Sequence, residues 1–191
     1  MNILKPVCDY LVAGGVPTQC DVILVLAGRP ERKPYGLQLF RLGLAPRLVF
    51  SVGRFEVRQT AAAFELPELI SMRDATQPSQ RHFWVDFTKA SREVHLAGLN
   101  RHNTFWELSG IAAYLGPAQP RSIALVSTSI HFRRIRFCCS RIPFFQERTV
   151  HFLAVPEESS SFQRDQWWKR ADHWSYVAQE YVKLAGYHLI Y

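Results

Sequence analysis

The chain has 191 residues, the size of one domain with a substantial core. Its 48% hydrophobic and 13% aromatic content excludes a disordered chain, and no apolar run approaches the roughly 18 residues of a spanning helix. The formal net charge of +7 fits an anionic ligand, a nucleic acid or an anionic membrane surface, but no block of like charge forms a basic tail.

The opening stretch "MNILKPVCDYLVAGG" has too short an apolar run and the wrong flanks for a secretory signal, so a soluble, cytoplasmic protein is expected. "CDVILVLAGR" reads as a strand buried on both faces. "PYGLQLFRLGLAP" reads as a helix, with Pro34 in the first turn and Gly43 as the C-terminal cap. "RLVFSVGR" closes a βαβ unit, which requires parallel strands. "VRQTAAAFELPELISMRDA" is expected to be helical up to Pro67. "RHFWVDF" alternates like a strand, and "REVHLAGL" either pairs with it as a hairpin or stands alone. "NTFWELSGIAAYLG" spaces Phe105, Leu108, Ile111, Ala112 and Leu115 as a helix ending at Gly116. "RSIALVSTS" is a further buried strand, "HFRRIRFCCSRI" a helix stopped by Pro143, and "TVHFLAVP" the last strand. Beyond Phe162, a stripe of Trp167, Ala171, Trp174, Ala178, Tyr181 and Ala185 fits either an interfacial membrane helix or a helix packed over the sheet. Asp172 and Glu180 favour packing.

This alternation predicts a single α/β Rossmann-like domain over residues 1–191. It has a mainly parallel sheet, helices on both faces and a long C-terminal helix. Strands near 22–27, 47–51 and 122–127 should lie parallel with Gly28, Gly53 and Ser127 at one edge. Ligands sit outside the carboxyl ends of such strands. Those ends carry Gly28, Arg29 and Arg32, then Ser51, Gly53, Arg54 and Glu56, then Ser127, Thr128, Ser129, His131 and Arg134. Small residues there let backbone N–H groups approach a ligand, and arginines hold phosphate or carboxylate. Arg32, Arg54, His131 and Arg134 are expected to converge on one cavity. A bound anion, water or the Glu56 carboxylate would be the counter-charge, and Arg134 would lie outside the core. His131 is the candidate acid or base. "TFWE" reads either as a capping box, with Thr104 as N-cap and Glu107 three residues on, or as a ligand-facing acid. No dinucleotide fingerprint, Walker motif, nucleophile elbow or zinc spacing occurs, and no cofactor is identified. Cys8, Cys20, Cys138 and Cys139 read as reduced core thiols.

Four blocks resemble the YdcF/SanA/ElyC-like family, a bacterial domain family of largely undefined biochemical function. They are "CDVILVLAGR", the Arg32, Gly36, Leu39, Phe40 pattern, "APRLVFSVGRFE" and "LVSTSIHFRRI", all within about residues 20–140. Val52 replaces a family glycine. In "NTFWEL", Trp106 stands where the family has an acid, and Glu107 is displaced by one. The resemblance implies a Rossmann-like domain with a polar pocket using Gly28, Arg32, Ser51, Gly53, Glu56, Ser127, Thr128, His131 and Arg134. Many relatives carry membrane helices and envelope links, and this chain shows no such helix. The expected function is binding of a small anionic or nucleotide-like ligand at the strand ends. The alternatives are an envelope-associated scaffold with a vestigial pocket and a basic nucleic-acid-binding protein. The latter is disfavoured because the aromatics sit at core spacing.

Overall fold

The structure is a computed structural model that describes residues 5–12 and 14–191. The sequence reading of the first fifteen residues falls partly on 1–4 and 13, outside the described residues. In chain order the elements are α1 (Lys5–Leu11), β1 (Val22–Val25), α2 (Arg32–Arg41), β2 (Arg47–Gly53), α3 (Val57–Ala63), α4 (Pro67–Ala75), β3 (His82–Thr88), β4 (Arg92–Leu96), α5 (Thr104–Leu115), β5 (Ser122–Ser127), α6 (Phe132–Cys139), α7 (Pro143–Gln146), β6 (Thr149–Ala154) and α8 (Ala171–Ile190).

The six strands form one sheet in the order β4-β3-β2-β1-β5-β6. β1 runs parallel to β2 and β5, and β6 runs parallel to β5. β3 is antiparallel to β2, and β4 forms the hairpin with β3. β1 connects to β2 on one side, whereas α5 carries the chain to β5 on the other. The gap between the ends of β1 and β5 is therefore the topological switch point, where open α/β sheets bind ligands.

Strand residues alternate between two cores. Ile23, Val25, Leu48, Phe50 and Phe83 pack with Leu39 of α2 and the inner faces of α3 and α4. Val22, Leu24, Val49, Trp84 and Leu125 pack with Leu108 and Ile111 of α5 and Phe132 and Ile135 of α6. This is the Rossmann-like α/β architecture that the alternation of elements implies.

Several local expectations are corrected. The helix expected to run up to Pro67 ends at Ala63, and Pro67 opens α4 instead. Proline costs no hydrogen bond in a first turn. α6 stops at Cys139, before Pro143, which starts α7. The C-terminal stripe is also corrected. α8 buries His173, Val177, Glu180 and Leu184, while Ala171, Trp174, Ala178 and Ala185 face outward. The helix packs on α6 and the chain before it, with Trp167 and Phe162 in a third cluster, and does not lie over the sheet.

Among the described residues no helix is long and apolar enough to cross a membrane. The four cysteines are free and buried. Burial pushes the Cys8 and Cys138 thiols up to about 12, so both stay protonated.

One close contact fixes how α2 sits on the sheet. A Cβ at Gly36 would lie 2.2 Å from Val25 Cγ2. Gly36→Ala is therefore expected to lose roughly 1–2 kcal/mol, overpacking outweighing the gain in helix propensity. An unchanged denaturant midpoint would show that α2 can shift away from β1.

Candidate functional site

The carboxyl edge of the sheet opens into two adjoining chambers. The inner one, about 170 Å³, lies at the switch point and is lined by Gly28, Arg32, Thr104, Glu107, Ser127, His131 and Arg134, among others. The outer one, about 340 Å³, lies over the ends of β1 and β2. Its lining includes Arg54, Phe55, Glu56, His82, His102 and Asn103. Ala27, Gly28, Thr104 and Glu107 form the wall between them.

Arg32 reaches the inner chamber from the start of α2. Its Nε donates to Thr128 Oγ1 at 3.1 Å, and its Nη1 donates to the Ala27 carbonyl. The residue is 4% exposed, yet among the described residues no carboxylate pairs with it. Burial pulls its pKa down to about 10, so it remains a cation. Beside it Ser127 Oγ is buried and has no hydrogen-bond partner. A buried hydroxyl left unpaired costs free energy that a ligand can recover.

Arg134 lines the inner chamber as expected, but it is buried and held by an ion pair rather than lying outside the core. Its Nε donates to Glu180 Oε2 at 2.9 Å and its Nη2 to Oε1 at 3.2 Å. Its Nη1 donates to Thr104 Oγ1. His131 Nδ1 lies 3.2 Å from Glu180 Oε1. A carboxylate only accepts, so that nitrogen carries the proton. Burial pushes the His131 imidazole down to about 4, leaving it neutral near pH 7. It is then a hydrogen-bond partner for a ligand and a weak base, which counts against the acid or base role expected for it. Burial works against the Glu180 charge as well. The His131 bond and the Arg134 guanidinium outweigh it and hold the carboxyl below its usual range. With His131 neutral, Arg134 supplies the counter-charge.

Glu56 makes no direct bond to Arg32, although its charge acts on it through space. Its carboxylate accepts from the Gly28 and Gly53 N–H groups, at 3.2 and 2.7 Å, and from Lys33 Nζ at 2.6 Å. The two glycine amides expected to meet a ligand are thus already used. Gly28, at φ +125°, needs glycine to turn its N–H this way.

Glu107 is not part of a capping box. Asn103 caps α5, its Oδ1 accepting from Trp106 N at 3.1 Å. This frees the Glu107 carboxylate to point at the strand ends. There it accepts from Ala27 N at 2.8 Å and from Ser51 Oγ. Ser51 Oγ also lies 2.7 Å from His82 Nε2. With Glu107 ionised, the one Ser51 proton goes to the carboxylate, and His82 donates to Ser51. Burial raises the Glu107 pKa, and it pushes His82 down to about 4.

Other expected residues fall elsewhere. Arg54 does not converge with Arg32, His131 and Arg134. It stacks on the exposed Phe55 ring, 4.4 Å from its centroid, at the outer lip. Arg29 turns to Ser161 Oγ and the Tyr176 ring. Thr128 supports Arg32 from behind, and Ser129 opens a short turn before α6 and lines neither chamber. The sequence reading missed His82, His102, Asn103, Lys33 and, as a site residue, Glu180. Among the described residues no cluster of metal-ligating side chains occurs.

The fold and site define a Rossmann-like α/β domain with a polar, two-chambered cleft at its switch point. Comparison with protein-family models, with curated proteins and with solved structures finds no match.

Proposed function

We propose that this chain is a YdcF-like binding domain for a small anionic, nucleotide-like molecule. The anionic end enters the inner chamber and the body fills the outer one. The observation that carries this reading is Arg32, a buried guanidinium facing a cavity with no carboxylate paired to it. A buried cation with no carboxylate bonded to it is costly; Glu107 and Glu56 offset that cost only through space, and a bound anion would offset it directly. The outer chamber supports the second half of the reading. Phe55 is 88% exposed at its lip, and the exposed His102 ring, stacked 6.0 Å from the buried His82, lines the same chamber.

The family assignment belongs to the same proposal. Its support is that Gly28, Arg32, Ser127, His131 and Arg134, all from the resembling blocks, line one chamber. A cytoplasmic location belongs here too, supported by four unpaired cysteines. The arginine excess supports a small anion over a nucleic-acid face. Arg29, Arg133, Arg136 and Arg148 each lie over an aromatic ring, Arg133 and Arg136 on α6 and the other two elsewhere in the chain.

Thermal denaturation with a panel of inorganic phosphate, nucleotides and sugar phosphates tests the reading. A ligand at a hundredfold excess over its Kd is expected to stabilise by roughly 2.7 kcal/mol. Arg32→Met, which keeps the stem and removes the charge, should abolish that response while remaining folded. An equal response in parent and variant would remove the anion from this chamber.

A further inference from the structure

Glu107 stands in the wall shared by both chambers, beside the one buried guanidinium among the described residues without a carboxylate partner. We infer that the inner chamber is an oxyanion subsite built by Arg32, Ser127 and Glu107, and that a ligand's terminal phosphate or carboxylate enters it together with one proton, taken by Glu107. This rests on the anion-site reading above and adds the ligand's charge state.

Charged and titratable groups face Glu107 from four directions. From α2 come Arg32 and Lys33. Lys33 is matched by Glu56, which lies between the ends of β2 and α3. From β3 comes His82, kept neutral by burial, and from the loop before α5 comes His102, whose Nε2 sits 2.6 Å from the Ser79 carbonyl. From α6 come His131, also neutral, and Arg134, matched by Glu180 of α8. Cys138 of α6 is a protonated thiol. The closed pairs cancel. What remains is Arg32 and Glu107, opposite charges across one small cavity with no direct bond between them.

In the empty chamber Glu107 is the through-space counter-charge of Arg32. An oxyanion that docks on Arg32 takes over that role. Glu107 is then a second negative charge next to the ligand, in a site that burial already makes hostile to carboxylates. Taking up a proton removes the repulsion. It also turns the carboxyl into an O–H donor that can bind the oxyanion, beside the unpaired Ser127 hydroxyl. The Ala27 and Ser51 bonds both go to Oε1, so the carboxyl keeps its position when Oε2 carries the proton. The site therefore prefers a single terminal oxyanion. It offers no second cradle for a pyrophosphate, because Glu56 holds the glycine amides.

Inorganic sulfate is the probe, because its own charge is constant between about pH 5.5 and 8.5, so a proton taken up over that range belongs to the protein. Titration calorimetry of the full chain in two buffers of unequal ionisation heat reads the proton directly. The expected result is uptake approaching one proton and an affinity that rises by up to about tenfold per unit fall in pH. Glu107→Gln should flatten that dependence and bind sulfate at high pH at least as well as the parent. Arg32→Met should not bind. Binding that depends on Arg32 but shows no proton uptake, or the same pH dependence in Glu107→Gln, overturns the coupling and leaves the anion site standing. Binding unaffected by Arg32→Met, or no binding at any pH, overturns both. Should Glu107→Gln fail to fold, the absence of proton uptake by the parent still overturns the coupling.

Discussion

Glu180→Ala is expected to lower stability by about 3–5 kcal/mol. Glu180 is 1% exposed, and its two oxygens meet Arg134 Nε and Nη2, His131 Nδ1 and Lys183 Nζ. Removing the carboxylate strands the Arg134 guanidinium in a site that is itself 8% exposed. It also releases α8 from α6. Arg134→Ala leaves Glu180 with only the half-exposed Lys183 and the His131 N–H, and should cost somewhat less. That reverses the sequence expectation that Arg134 is dispensable for folding. The double variant Arg134→Ala with Glu180→Ala should cost clearly less than the two single losses together, because the buried pair is then removed as a whole. Guanidinium denaturation of the four proteins measures the cycle. A single-variant loss below about 1 kcal/mol would make this a solvated surface pair.

The same residues show where the sequence was legible. β1, β2 and β5 could be read because strands buried on both faces must be runs of Val, Ile and Leu, and "VILV" has few other places to go. Their order was less legible, since register and neighbours depend on contacts far apart in the chain. Arg32, Ser127 and Glu56 were found because parallel strands deliver their carboxyl ends to one edge. The same rule missed His82. β3 is antiparallel, so its first residue, opposite Gly53, lies at that edge, while the rule points only to residues beyond a strand's last position. Glu180 was invisible as a site residue because its partner is 46 positions away. Its helix face was misjudged because Trp174 and three alanines look more like core than His173 and Glu180 do. Burial of the latter two depends on specific partners, which no periodicity can register. Glu107 was left between a cap partner and a ligand-facing acid because Thr104 and Asn103 are both good N-caps, and only the backbone dihedrals decide between them.

Acid should weaken this protein well before its surface carboxylates protonate. His82 and His131 are both buried and held neutral, with pKa values pushed by burial to about 4. In the unfolded chain each titrates near 6.5. As pH falls from 6.5 towards 4, the unfolded chain binds two protons that the folded protein refuses. Stability is therefore fully present above about pH 6.5 and is lost progressively below it. By pH 5 the loss is roughly 2 kcal/mol for each histidine, about 4 kcal/mol together, a large share of an ordinary domain's margin. Glu107 opposes this, because its raised pKa lets the folded protein take a proton early, but it is one group against two. His82→Gln keeps a donor for Ser51 Oγ and removes one titration. It should lose a little stability at pH 7.5 and roughly halve the fall between pH 7.5 and 5. Denaturant melts at the two pH values, for parent and variant, make the comparison. If His82→Gln loses as much on acidification as the parent, His82 already carries its proton in the fold. The hydrogen-bond direction from His82 through Ser51 to Glu107 would still hold, but the neutral imidazole on which the charge balance of the inner chamber depends would not.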